Sequence, residues 1–278
     1  MKKTFIALFF CVPLFFCSCI KKEAPVKMSI NYEEARENFS KEFKVEPMDS
    51  SVVIGKDLVV IAPQEEGLTY TLSGYFKGQI VSSTKNTTIR LNNVFIENSE
   101  GKAALKCDAK TEVSSVKETE NYIVSYGRGN SKNAALMSRR SLVLGGSGKI
   151  YISGSVWHGI EADDVKLKGT GSFIVSGTNK GSALKCEMLT VEPEKKFNAY
   201  FINSKNGIKA DSKISISSGN FYLYNNETAM KTNTEKDDPN RAHSIKLLGG
   251  TFYTHENKKI ISTQKDAYFL DNADFVEE

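Results

Sequence analysis

The phrase Ala183-Leu184-Lys185-Cys186 decides the fold, because close variants of it return along the chain at an almost constant interval. Each copy has a small residue, an aliphatic residue, a third residue that is most often charged, and another small residue. The other copies occupy residues 104–107, 135–138, 159–162, 207–210 and 229–232. From residue 136 onward the aliphatic residues follow at steps of 24, 24, 24 and 22 residues. A fixed period in this range is typical of solenoids, whose repeats bury their apolar faces against one another.

Two further alternating runs follow each phrase and identify the type of solenoid. The second run contains pairs such as Val165 and Leu167, and the third begins with an aromatic residue such as Phe173 or Phe221, after a turn that usually holds glycine. Alternation with period two is a strand signal, and no repeat contains a helical pattern. The sequence therefore predicts an all-β fold, a single-stranded parallel β-helix with about 24 residues per rung and a rung spacing of roughly 4.8 Å.

Equal spacing also predicts which side chains share an interior column. Phe173, Phe197 and Phe221 are 24 residues apart and should form a ladder of rings inside the solenoid. Cys107 and Cys186 share a column of small residues but lie three rungs apart, about 14 Å, which is too far for a disulfide. Both are expected to be buried free thiols.

The first 18 residues have the pattern of a secretory signal peptide. Lys2 and Lys3 precede an apolar stretch, which is too short to span a membrane. Cys19 follows a small residue at the expected cleavage point, which resembles the lipobox of bacterial lipoproteins and makes Cys19 the residue to be lipidated; ordinary signal cleavage is the alternative. The chain is thus expected to be a secreted, membrane-anchored lipoprotein of the bacterial cell envelope, in the outer membrane or at the surface. Its formal net charge of +4 falls to +2 without the two lysines, too small a bias to indicate nucleic-acid binding.

Residues 19–50 are polar and read as a lipid anchor and tether. Tyr32, Ala35, Phe39 and Phe43 follow a helical spacing, with Asn31 as a candidate N-cap. One interpretation is a short helix that covers the open N-terminal end of the solenoid; the other is a partly helical linker. The β-helix domain is expected to span residues 51–278.

Several stretches resemble one known family. They are Tyr70-Thr71-Leu72-Ser73-Gly74, Gly78-Gln79-Ile80, residues 88–94, 118–122 and 142–150, and His158-Gly159-Ile160. The chain is similar here to a carbohydrate-binding β-helix domain of secreted bacterial proteins, a family related to calcium-dependent polysaccharide lyases but thought to be non-catalytic. The resemblance implies a right-handed β-helix, bound Ca²⁺ and a polysaccharide partner of acidic or plant type.

Outward carboxylates on consecutive rungs are the candidate metal ligands. Asp163, Glu187 and Asp211 share one column, with Glu161 and Asp164 beside them. Repulsion between these charges can be relieved in two ways. Lysines of the adjacent column can pair with the carboxylates, or a hard cation such as Ca²⁺ can bind between the rungs.

For sugar contact the candidates are aromatic. Trp157, the sole tryptophan, lies at a turn, while Tyr151 and Tyr222 share one outer strand face. Such rings can stack on a sugar, although they also suit ordinary packing. We expect a surface lipoprotein that binds carbohydrate without cleaving it. The alternatives are a calcium-dependent lyase, with Lys185 or Lys209 as base, and an adhesin for a host or matrix protein.

Overall fold

The computed structural model describes residues 31–127, 133–192, 197–233, 243–264 and 267–278. Cys19 and the predicted signal peptide lie outside these ranges. Within them, twenty-five strands form one hydrogen-bonded sheet, and the helix content is a single short α-helix. No helix in this part of the chain has the length and apolar character needed to cross a membrane.

The elements follow one another in short steps. The first are α1 (Tyr32–Glu37), β1 (Lys44–Glu46), β2 (Val52–Ile54), β3 (Leu58–Ile61), β4 (Thr69–Lys77), β5 (Gln79–Ser82), β6 (Thr87–Asn98), β7 (Leu105–Cys107), β8 (Thr111–Ser115) and β9 (Glu120–Ser125). The middle ones are β10 (Ala134–Ser138), β11 (Leu142–Gly146), β12 (Lys149–Gly154), β13 (His158–Glu161), β14 (Asp164–Leu167), β15 (Ser172–Ser176), β16 (Ser182–Val191), β17 (Asn198–Ile202) and β18 (Asn206–Ile216). The last are β19 (Asn220–Tyr224), β20 (Thr228–Thr232), β21 (Ser244–Leu247), β22 (Gly250–His255), β23 (Lys259–Ser262), β24 (Tyr268–Leu270) and β25 (Ala273–Glu277).

These strands form three parallel ladders, each built from equivalent segments of successive repeats. Ladder A contains the phrase strands: β3, β5, β7, β10, β13, the first halves of β16 and β18, β20 and β23. Ladder B takes the second run of each repeat and ends in β24. Ladder C takes the third run and ends in β25. A segment therefore pairs with its equivalent one repeat away, as the period predicts.

The three ladders share one hydrophobic core. The aliphatic residue of each phrase is fully buried, and the core contains residues of all three ladders. The expected interior aromatic column is confirmed: the ring centroids of Phe173 and Phe197 lie 5.6 Å apart, and those of Phe197 and Phe221 lie 5.9 Å apart. Cys107 and Cys186 are buried free cysteines, as expected, and burial raises the pKa of the Cys107 thiol to about 12.

The N-terminal helix forms, but it ends at Glu37, before Phe39 and Phe43 of the predicted pattern, and it does not cover the end of the core. The Asn31 side chain accepts a hydrogen bond from the Glu34 amide, and Tyr32 and Phe39 then pack on the outer surface of ladder C. The Arg36 guanidinium lies 3.3 Å from the buried Glu97 carboxylate of that ladder. The end of the core is covered instead by β1 and β2, which pair antiparallel with β4 and β3.

The prediction of an all-β, repeat-like chain with mainly parallel strands is thus confirmed. The handed coil that would join the ladders into a β-helix stays a prediction.

Candidate functional site: a lysine-walled groove

Three lysines follow one another on the outer surface of ladder A. Lys185 pairs in register with Lys209, and Lys209 pairs with Lys231, while Glu161 precedes Lys185 in the same column. Parallel neighbours are separated by roughly 4.8 Å, so the three ammonium groups form a short row of positive charge along the ladder. The row arises from the repeat, because every phrase places its third residue on the same outer face.

A second wall comes from the turns that lead into ladder A. Trp157, Lys180 and Lys205 line the same groove as the lysine row. The amide of Lys205 donates hydrogen bonds to the carbonyls of Thr178 and Gly181, at 2.9 and 2.8 Å, which fixes one turn on the next. A side chain at Gly181 would overlap the carbonyl oxygen of Trp157, so the close stacking of the turns requires glycine there. The groove between the two walls has a volume of about 320 Å³.

Its floor is polar and hydrogen-bonded. Nδ1 of His158 accepts a hydrogen bond of 2.8 Å from the Ser182 amide, and Asn206 Nδ2 donates one of 3.2 Å to the Ser182 hydroxyl. Burial, with a contribution from the charge of Lys185, lowers the pKa of His158 to about 3. His158 is therefore neutral near pH 7 and carries its proton on Nε2. Its ring and the Trp157 ring are nearly perpendicular, at 83°, with the centroids 5.7 Å apart.

Positive charge in the groove is only partly neutralised. Lys185 lies 2.9 Å from Glu161, and Lys209 lies 3.6 Å from Asp211. Within the described ranges, Lys180, Lys205 and Lys231 have no ion-pair partner. The lining therefore contains five lysines and one glutamate. Such a surface favours a ligand that carries several negative charges.

Lys185 is held in its charged form. Burial acts against the ammonium group, but the hydrogen bond and charge of Glu161 outweigh it, and the pKa of Lys185 lies above its ordinary value. A general base must be deprotonated near the working pH. Lys185 thus has the protonation state of an anion-binding group.

The predicted metal ligands do not act as one set. Glu161 and Asp211 pair with lysines, which is the first of the two arrangements expected from the sequence. The other three candidates, Asp163, Asp164 and Glu187, lie close enough for their charges to interact. Burial raises the pKa of Asp164, and a hydrogen bond from Ser141 acts against this increase. The charges of Asp163 and Glu187 raise it further. In the described residues, no three His, Cys, Asp or Glu side chains are arranged to hold a metal ion. Calcium binding here remains a prediction.

The three aromatic candidates occupy different places. Trp157 lies in the groove, whereas Tyr151 and Tyr222 belong to the outer surface of ladder C. Tyr222 stacks between Tyr200 and Tyr253, with ring centroids 4.2 and 4.7 Å away and interplanar angles of 8° and 7°. Both faces of Tyr222 are therefore covered, and it offers its edge and hydroxyl. One face of Tyr151 is likewise covered, by Tyr122 at 4.5 Å. Of the three, Trp157 is the ring that shares a groove with charged groups.

Sequence reasoning noted the lysine column and the turn position of Trp157, but it did not bring the two into one groove, and it missed Lys180 and the floor. Lys180 and Lys205 lie in turns, where the strand alternation gives no direction for a side chain. One signal was present: Trp157, Gly181 and Lys205 recur at intervals of 24 residues, which places them in one column.

Comparison with known proteins gives two findings. A family model described as "Carbohydrate-binding domain-containing protein" matches residues 56–165, a segment that includes Trp157 and Glu161 but ends before Lys180. The structure is similar to that of a polysaccharide lyase-like protein from C. thermocellum, solved as a gadolinium derivative, with a TM-score of 0.54. The two are 19% identical over 83% of this chain and 85% of that chain, so the similarity is one of fold. No curated protein matches the sequence.

Proposed function

We propose that this chain is a cell-surface lipoprotein that binds acidic polysaccharide in the lysine-walled groove without cleaving it. The groove is the observation that carries the proposal: five lysines and the only tryptophan of the chain line one channel with a polar floor. The match of residues 56–165 to a carbohydrate-binding family supports the class of ligand.

The proposal includes a fold in which the three ladders are the faces of a right-handed parallel β-helix. Each segment pairs in parallel with its equivalent in the next repeat, and crossover connections between parallel strands are almost always right-handed. A polysaccharide bound along the lysine row would lie parallel to the axis of such a helix.

Acidic sugars fit the groove because of its charge and its shape. Lysines stand on both walls, so acid groups that point to either side of an extended glycan meet an ammonium group. The partly exposed Trp157 ring supplies an apolar surface for a sugar face, while Ser182 and Asn206 of the floor are buried and bond to each other. The whole chain has a net charge of only +4, so the concentration of lysines is a local feature.

Cleavage by a lyase mechanism would need a base within reach of the substrate C–H. Lys185 is held protonated by Glu161, and the Nδ1 of His158 is already occupied by the Ser182 amide. These two groups therefore favour binding over β-elimination.

Calcium is a separate part of the proposal. Asp163, Asp164 and Glu187 carry the hard oxygen ligands that Ca²⁺ prefers. Burial is the main cause of the raised pKa of Asp164, and the charges of Asp163 and Glu187 add to it. These three carboxylates would hold the ion, and Ca²⁺ would supply positive charge that attracts acid groups of a glycan. The lysine groove is expected to bind an acidic glycan without the ion.

The anchor is proposed from the sequence. A lipidated Cys19 and the residues between it and α1 would hold the domain at a membrane of the cell envelope, since α1 and β1 already belong to the folded domain.

Calorimetric titration of the mature chain carrying Cys19→Ser tests the proposal. Polygalacturonate is expected to bind, and fully methyl-esterified polygalacturonate, which has lost its charges, is expected to bind weakly. Repeating the titration with Ca²⁺ and with a chelator separates the two sites. Equal affinity for both polymers would contradict the role of the lysines, and an unsaturated, ultraviolet-absorbing product would show a lyase.

A further inference from the structure

The two ends of the ladders differ. At the N-terminal end, β1 and β2 run antiparallel beneath the first strands of ladders B and A and cover their edges. At the C-terminal end, β23, β24 and β25 each pair with the preceding repeat only, and their outer edges have no partner among the described residues. An open edge of this kind is a template for a further strand.

The same end exposes side chains that belong to the core columns. Phe275 continues the interior column of aromatic rings, stacked on Phe252 at 5.1 Å, but is 39% exposed. Tyr268 and Leu270 are 54% and 43% exposed. Together with Ile261 they line an open cavity of about 720 Å³, at whose rim lie Lys259 and Glu277. The described part of this end therefore offers a partner both strand edges and an apolar cross-section.

We propose that the partner is a second copy of this chain, bound end to end through a two-fold axis that passes through the middle of β24. This axis is perpendicular to the direction in which the strands stack within each ladder. It reverses the direction of every strand in the second copy, so the strand edges that face each other pair antiparallel. With the axis at Phe269, β24 faces its own copy, and β23 faces β25 of the second copy.

The register of this pairing is self-consistent. Tyr268 lies opposite Leu270 of the second copy, and Ile261 lies opposite Phe275, so residues that line the cavity face each other. The same register places Lys259 opposite Glu277 of the second copy. These two side chains form no ion pair within the described part of one chain. Opposite charges therefore meet at the corner where ladders C and A adjoin.

A two-fold dimer uses the C-terminal edges of both copies, so it leaves no further edge of this kind for a third copy. Because β1 and β2 already cover the first strands of ladders B and A, a head-to-tail contact would leave β23 and β24 without partners and could pair along ladder C alone. Association is thus expected to stop at two copies.

Sedimentation equilibrium of the mature chain carrying Cys19→Ser, over a series of concentrations, gives the first test. A monomer–dimer equilibrium is expected. A monomer at every concentration, or growth beyond the dimer, would overturn the proposal. Lys259→Glu and Glu277→Lys should each weaken the dimer, and the double variant should restore it. Failure of the double variant to restore association would contradict the proposed register, as would stronger association in Glu277→Gln.

A disulfide tests the register directly. Ile260 and Val276 lie next to the facing pair Ile261 and Phe275, and they are opposite each other across the proposed interface. Opposite residues in antiparallel strands have Cβ atoms about 4.5–5.5 Å apart, close enough for a strained or slightly shifted disulfide. The variant Ile260→Cys/Val276→Cys is expected to form a covalent dimer on mild oxidation. The matched control Ser262→Cys/Val276→Cys is out of register by two residues, and equal cross-linking of both would reject the arrangement.

Discussion

Replacing Lys209 by glutamine tests how much the lysine row contributes to binding. Lys209 is the middle of the three lysines, with Lys185 and Lys231 each roughly 4.8 Å away along ladder A. Its side chain is 26% exposed and has one partner, Asp211 at 3.6 Å. The substitution Lys209→Gln removes one positive charge and leaves Asp211 without that partner, while the buried face of the strand is unchanged.

The expected loss follows from the exposure of the site. Two unit charges 4 Å apart interact by about 1 kcal/mol in water and about 4 kcal/mol near a protein surface, whereas measured exposed pairs contribute about 0.2–1 kcal/mol. Because the Lys209 side chain is one quarter exposed, we expect removal of its charge to cost about 1 kcal/mol of binding free energy. This loss corresponds to roughly a fivefold increase in Kd. Independent contributions would raise the Kd on the order of 100-fold when all three lysines are replaced. Because the three charges are neighbours, the difference from that value measures their coupling.

The salt dependence of Kd separates the loss of charge attraction, which salt screens, from a loss of steric fit, which salt does not screen. The row spans two rungs, about 10 Å, which is shorter than the Debye length of about 30 Å at 0.01 M salt and longer than the 8 Å at 0.15 M. The difference between the Lys209→Gln variant and the wild type should shrink as salt rises. Lys246→Gln is the matched control, since Lys246 is an exposed outer lysine of ladder B. If both variants bind polygalacturonate as tightly as the wild type at low salt, the groove is not the binding site.

Three further predictions concern the fold. Phe221→Ala should lower the free energy of unfolding by about 3–5 kcal/mol, because the ring is fully buried between two others, and Tyr222→Ala on the outer face should cost less in the same denaturant titration. The pKa of His158 lies near 3 in the folded state and is higher in the unfolded chain, which therefore binds more protons between these values. Stability should fall as pH drops from about 6.5 toward 3, and His158→Gln should flatten this slope; an unchanged slope in the variant would contradict the lowered pKa. The two buried cysteines should resist alkylation until the chain is unfolded, and rapid labelling of the native protein would contradict their burial.

Periodic features could be read from the sequence, and features of single turns could not. The steps between Leu136, Ile160 and Leu184 predict the register of ladder A, because equivalent residues of successive repeats pair with each other. The same column also pairs where the step is not 24, as Leu105 does with Leu136. The spacing of Tyr32 and Phe39 predicts an apolar helix face, but not the surface that receives it. Ladder C receives it because Phe95 and Tyr122 form an outer apolar strip there.

The groove illustrates the same limit. Trp157 and the lysine column were separate observations in the sequence, since no local pattern says that a turn residue and a strand residue face one channel. Their meeting depends on how closely the turns stack, which Gly181 permits. For the stacked tyrosines, the strand alternation predicts that they share an outer face. It does not predict that their rings cover one another, because that depends on the side-chain rotamers.

Fluorescence of Trp157 during titration with polygalacturonate tests the central claim most directly. The chain has one tryptophan, and it lies in the groove, so the emission reports on the proposed site alone. We expect a saturable change in emission and protection from iodide quenching, both lost in the variant in which Lys185, Lys209 and Lys231 are all glutamine. Binding measured by calorimetry with no change in Trp157 emission or quenching would place the polysaccharide elsewhere and contradict the account.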